Sequence, residues 1–190
     1  LVRKGKGILA ADESNPTCKK RFDSIGVNSS FESRNEYRDM LFTSSKIEDY
    51  ISGVILFDET LRQSTTCAEK IPFTKLLNLK GIIPGIKVDQ GVINLEGFPN
   101  EKATTGLDGL DKRLEEYYEL GARFAKWRAV ITIGDDIPSE ACIHANAHSL
   151  ARYASKCQQA GLVPIVEPEV LMDGTHTIET CNMVTNKVLK

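Results

Sequence analysis

The stretch Phe124-Ala-Lys-Trp-Arg-Ala-Val130 decides how this chain is read. Its composition is that of a buried strand, yet it carries Lys126 and Arg128 two residues apart. Side chains alternate along a strand, so Lys126 and Arg128 share one face with Phe124 and Val130, while Ala125, Trp127 and Ala129 share the other. Two cations on one face of a central strand are costly to leave alone. Either the protein supplies partners for them, or they meet an anion that arrives from outside. Trp127, on the opposite face, reads as a contact between strand and helix.

Four further apolar runs resemble this one: GILAAD at 7–12, GVILF at 53–57, IIPGIKV at 82–88 and LVPIVE at 162–167. Between the runs lie stretches of roughly 25 to 45 residues, room for a helix and its loops, which is the βα repeat of a parallel sheet. Ser14 is placed to cap a helix with Pro16 in its first turn, ending near Gly26. Leu107, Leu110, Leu114 and Tyr117 form an apolar stripe that stops at Gly121, and a long helix is expected from Pro138 to Gly161. A last helix, capped at Asp173 or Thr175, carries Ile178, Cys181, Val184 and Val188 on one face and runs to the final residue. Five strands and an unfinished fifth unit predict an α/β fold, the first five βα units of a (β/α)8 TIM barrel. The expected organisation is a single domain over 1–190, incomplete at both ends.

The chain has 190 residues, 41% hydrophobic and 26% charged, enough for a buried core. A net charge of −2 gives no reason to expect nucleic acid or a membrane surface as partner, so any anion must be bound locally. The cysteines at 18, 67, 142, 157 and 181 are spread and odd in number, and read as reduced thiols of a cytoplasmic protein. No apolar run is long enough to span a bilayer. P-loop, dinucleotide and EF-hand patterns are missing as well.

Reactive groups of a parallel barrel gather at the carboxyl ends of its strands. Here those ends offer Asp12, Asp58, Lys87 with Asp89, Lys126 with Arg128, and Glu167 with Glu169. Glu167 and Glu169 flank Pro168 and share a face in extended geometry, an arrangement that lets one hold a proton while the other stays ionised. Lys126 nearby would stabilise the charged member, and Asp12 could exchange a proton from across the barrel mouth. The same groups would also serve as a self-neutralising ion network. His144 and His148 have the spacing of a helix-borne zinc pair. Alanine follows His144 where a metalloprotease carries glutamate, and no third ligand is evident, so the pair is assigned to the helix surface or its packing.

Taken together, KGILAADES at 6–14, GIKVD at 85–89, LDGL at 107–110, FAKWR at 124–128, ARYAS at 151–155 and VPIVEPE at 163–169 resemble class I fructose-bisphosphate aldolase over the whole chain. The resemblance implies a (β/α)8 barrel, a cytoplasmic homotetramer, no metal and no organic cofactor. It also implies reversible cleavage of fructose 1,6-bisphosphate, a phosphorylated sugar, to dihydroxyacetone phosphate and glyceraldehyde 3-phosphate, and binding to cytoskeletal filaments. Asp12 would lie near the scissile bond, and Lys87, Lys126 and Arg128 would be active-site cations. Glu167 would be the acid–base residue, Glu169 would order the lysine beside it, and Ser14 and Arg21 would line the mouth near a substrate phosphate. The family's Schiff-base lysine stands on the sixth strand in a Leu-Lys-Pro-Asn-Met context, and no such run occurs here. That lysine is therefore expected beyond residue 190, with the stretch alone inactive. Two other functions fit the residues: a phosphosugar isomerase or epimerase working by acid–base chemistry alone, and a non-enzymatic binding scaffold.

Overall fold

Apolar runs bounded by glycine and proline become strands where neighbouring helices can cover them. The computed structural model describes residues Leu1–Lys190, which divide into two units. The first comprises Leu1–Lys87 with Glu115–Ala125, and the second Val88–Leu114 with Lys126–Lys190.

In the first unit β1 (Gly7–Ala11), β2 (Ile51–Leu56) and β3 (Ile83–Lys87) lie side by side and parallel. Every residue of β2 after Ile51 is buried, as a parallel strand covered on both faces requires. Five helices accompany them: α1 (Asn15–Asp23), α2 (Phe31–Phe42), α3 (Ile47–Tyr50), α4 (Asp58–Leu61) and α5 (Phe73–Leu79). Phe42 of α2 meets Phe73 of α5 edge to face, with centroids 5.1 Å apart. Gly85 leaves room for the ring of Phe124, since a Cβ there would stand 2.3 Å from it. Gly85→Ala is therefore expected to cost about 1–3 kcal/mol by overpacking. A shift of the urea midpoint measures it; an unchanged midpoint would show that the ring swings clear without loss.

The second unit opens with an antiparallel hairpin of β4 (Val92–Asn94) and β5 (Lys102–Thr104). The chain then runs through α6 (Leu110–Glu119), β6 (Phe124–Ile131), α7 (Glu140–Gln159), β7 (Val163–Val170) and α8 (Ile178–Val188). Strands β6 and β7 are hydrogen-bonded neighbours. Ser139 caps α7 by accepting from the Cys142 amide at 3.1 Å, and its own amide donates to Glu101 Oε1 at 2.7 Å. Trp127 is wholly buried, with its ring 5.5 Å from that of Tyr153 on α7, the strand-to-helix contact its face predicts. Tyr153 Oη donates to the Ile165 carbonyl at 3.2 Å, and Asn146 Nδ2 to the Lys102 carbonyl at 2.9 Å, so α7 is tied to both β7 and the hairpin.

The five expected strands form, and several boundaries move. Strand β7 reaches Val170, so Glu169 lies inside it. Ser14 occupies the N-cap position of α1, but its hydroxyl pairs with that of Thr17 at 3.1 Å and caps no backbone amide. The last helix is capped by Thr177, which accepts from the Thr180 amide, in place of Asp173 or Thr175, and it ends at Val188. Helices α2 to α5 fall in stretches where room for a helix was expected but none was placed, and the β4–β5 hairpin is an addition. No helix is long and apolar enough to cross a membrane.

Candidate active site

In the first unit β1 ends at buried Ala11 and delivers Asp12, half-buried, at its carboxyl end. Lys87 is the last residue of β3 and is also half-buried. Ser14 starts α1, and Arg21 lies in the last turn of that helix, exposed. Between Asp12 and Ser14 stands Glu13, which sequence reasoning passed over. One carboxylate oxygen of Glu13 accepts from the Arg38 guanidinium, and the other accepts from Arg21 and from Tyr37 Oη, the last at 3.1 Å. Burial alone would raise the Glu13 carboxyl. The Arg38 guanidinium, the backbone amide of Glu13 and the Tyr37 hydroxyl outweigh that effect and hold it below the ordinary carboxylate range. Arg21, expected to face a phosphate, is thus already steadied by a carboxylate.

In the second unit β6 alternates as its sequence demands. Trp127, Ala129 and Ile131 are fully buried, and Lys126, Arg128 and Val130 are half-buried on the other face. The neighbouring strand β7 presents Glu167 and Glu169 at the same spacing, and the four side chains form two successive ion pairs. Lys126 Nζ lies 3.2 Å from Glu167 Oε2, and Arg128 Nε donates to Glu169 Oε2. Each glutamate of β7 thus has a cation beside it, Lys126 next to Glu167 as the sequence suggested. Lys126 and Arg128 do not wait for an arriving anion alone, since the protein supplies a carboxylate to each.

The two pairs are not equivalent. Arg128 and Glu169 are directly hydrogen-bonded, whereas the Lys126–Glu167 approach lacks hydrogen-bond geometry. Glu167 Oε2 is left buried with no hydrogen-bond donor on it. A buried carboxylate oxygen beside a cation, with unspent accepting capacity, is suited to take a proton from a bound hydroxyl. His144 is exposed one turn from exposed His148, and no cluster of three or more His, Cys, Asp or Glu side chains stands ready to hold a metal.

Against known proteins, the family model described as "Glycolytic: Fructose-bisphosphate aldolase class-I" matches residues 1–190. The chain belongs to the class-I fructose-bisphosphate aldolase family. It is 60% identical over 190 residues to the "Probable fructose-bisphosphate aldolase class 1" of Xanthomonas campestris pv. campestris, covering all of this chain and 56% of that protein. Against the cytosolic fructose-bisphosphate aldolase 4 of Arabidopsis thaliana it is 56% identical over 185 residues, 97% of this chain and 47% of that one. A solved structure of fructose-bisphosphate aldolase from Plasmodium falciparum, a ternary co-crystal with TRAP and a small-molecule inhibitor, superposes with a TM-score of 0.96 at 54% identity. That superposition covers 100% of this chain and 55% of the other. The α/β fold is thus that of an aldolase, its parallel strands consistent with part of a (β/α)8 barrel. The chain spans about half the length of the relatives it matches.

Proposed function

We propose that this aldolase-family chain forms part of the site of a lyase that reversibly cleaves fructose 1,6-bisphosphate to dihydroxyacetone phosphate and glyceraldehyde 3-phosphate. The observation that carries the proposal is the Lys126–Glu167 pair, with its buried and unspent carboxylate oxygen. Retro-aldol cleavage needs a base for the hydroxyl next to the breaking bond and an electron sink at the ketone. Glu167 gives a proton to the hydroxyl that leaves as water when the imine forms, and the carboxylate so produced then takes the proton of the hydroxyl next to the breaking bond. Lys126 lies beside that carboxylate, and Glu169 fixes Arg128, whose side chain is 42% exposed and can meet a substrate oxygen. Asp12 is assigned a carboxylate role near the scissile bond. Ser14, Arg21 and Lys87 are assigned to substrate and phosphate binding.

The electron sink is an iminium formed by a lysine amine, the chemistry of the class. None of the lysines here stands in the Leu-Lys-Pro-Asn-Met setting of the family's reactive lysine. We place that amine in the part of the relatives' length that this chain does not span. We further propose a cytoplasmic homotetramer, residues 1–190 forming part of one barrel domain, and no metal or organic cofactor in the reaction. Filament or other protein binding is a secondary role, supported by the Plasmodium aldolase crystallised with TRAP.

Borohydride reduction of the intact protein with dihydroxyacetone phosphate, followed by peptide mass mapping, tests the reading. The expected result is one reduced adduct per chain, with no adduct on Lys87 or Lys126. An adduct on Lys126 would make it the nucleophile, and complete absence of an adduct would favour an isomerase or epimerase.

A further inference from the structure

We infer that Arg34 and Arg38 of α2 are positioning residues for the proposed sugar-phosphate site, an inference that rests on the aldolase reading above. They are four residues apart and therefore project from one face of the helix. Each reaches a carboxylate that stands just after the end of a strand. Arg38 pairs with Glu13, two residues past Ala11 of β1. Arg34 grips Glu59, three residues past Leu56 of β2, with Nε and Nη2 each 2.7 Å from a different carboxylate oxygen. Asn15 Nδ2 lies 3.5 Å from that same Glu59, which joins the start of α1 to that of α4.

Arg38 does more than neutralise Glu13. Its Nη2 donates to the Glu13 backbone carbonyl at 2.8 Å and lies 3.7 Å from Cys18 Sγ on α1. Side chain and main chain of Glu13 are thus held by one guanidinium, between Asp12 and Ser14 in sequence. The other Glu13 oxygen holds Arg21, so three residues assigned to substrate are placed through this contact. The helix that bears the arginines is itself fixed at both ends. A reciprocal capping box between Ser30 and Ser33 sets its start, and Phe42 is packed on Phe73 at its end.

Stability alone does not call for this arrangement. Arg38 is 2% exposed and Glu13 10%, and a well-packed apolar pair is commonly as stable as a buried ion pair. What an apolar pair lacks is the planar fork that fixes a carboxylate and a carbonyl at once. Lysine keeps the charge and loses the fork, and is therefore the discriminating substitution.

The test uses Arg38→Lys and Arg34→Lys in the intact protein, with two readouts normalised to the folded fraction. Cleavage of fructose 1,6-bisphosphate is expected to lose about 10–100-fold in kcat/KM for Arg38→Lys, as a small misplacement away from the chemistry can cost. Arg34→Lys, acting through Glu59 of α4, loses less. Amide hydrogen exchange over residues 12–17, read by mass spectrometry, is expected to quicken in Arg38→Lys while the amides of β2 keep their protection. Wild-type kcat/KM per folded molecule together with unchanged exchange would overturn the inference. Faster exchange in a protein that never cleaves the bisphosphate would uphold the positioning and sink the aldolase reading. Unchanged exchange in such a protein would overturn both.

Discussion

Glu167→Gln is expected to slow turnover by about 10²–10⁴-fold, the usual worth of a positioned acid–base group. Glutamine keeps the shape of the side chain and removes its capacity to take a proton. The substituted group is half-buried, at 32% exposure, and its amide can still face Lys126, so the fold should survive. Steady-state kcat for fructose 1,6-bisphosphate cleavage checks the rate, and circular dichroism with a thermal midpoint checks the fold. A kcat within twofold of the unsubstituted protein would move the proton transfer to another carboxylate, with Asp12 the first to examine. The corresponding change at Glu169 is expected to act differently. Its partner Arg128 would keep an acceptor in the glutamine carbonyl and lose the opposing charge, which affects binding of the substrate more than transfer of the proton.

Trp127→Ala is expected to destabilise the second unit by about 3–5 kcal/mol, the cost of emptying a large buried aromatic site. The ring is fully buried against Tyr153, and it also bounds Gly106, where a Cβ would stand 3.3 Å from the indole. Urea denaturation followed by far-ultraviolet circular dichroism measures the loss, since Trp127 is the chain's sole tryptophan and its fluorescence leaves with it. A loss under about 1 kcal/mol would mean that α7 settles onto β6 and fills the space.

Much of this architecture was legible where local chemistry and tertiary structure agree. Strands β1, β2, β3, β6 and β7 announce themselves by short apolar runs. Helices α1 and α7 are marked by proline or serine at one end and glycine at the other, and α6 by an apolar stripe that stops at Gly121. Helix α2 is different, because FESRNEYRDMLF offers no clean apolar stripe and its buried residues are Arg38 and Phe42. A helix whose inward face is an arginine reads as a solvent-facing segment until its partner is known. Strand β4 is exposed at all three residues and so carries no alternating signal. At the site, Asp12 and Lys87 could be read from the ends of their runs, and the shared faces of Lys126 with Arg128 and of Glu167 with Glu169 from period-two spacing, although these four stand inside their strands and not at the ends. Their partners could not be read this way. Pairing of Arg128 with Glu169 spans 41 positions and that of Arg38 with Glu13 spans 25, distances over which spacing has no meaning.

Strand β6 divides its residues by parity, with odd positions feeding the interior and Lys126 and Arg128 holding the even ones. A single inserted or deleted residue upstream of Lys126 within this strand would exchange the two sets, presenting Trp127 where the glutamates of β7 wait and burying both cations. Descent within such a strand can therefore proceed by replacement and hardly at all by change of length. Gains and losses of residues should accumulate instead in segments such as 96–100, between β4 and β5, which are exposed throughout.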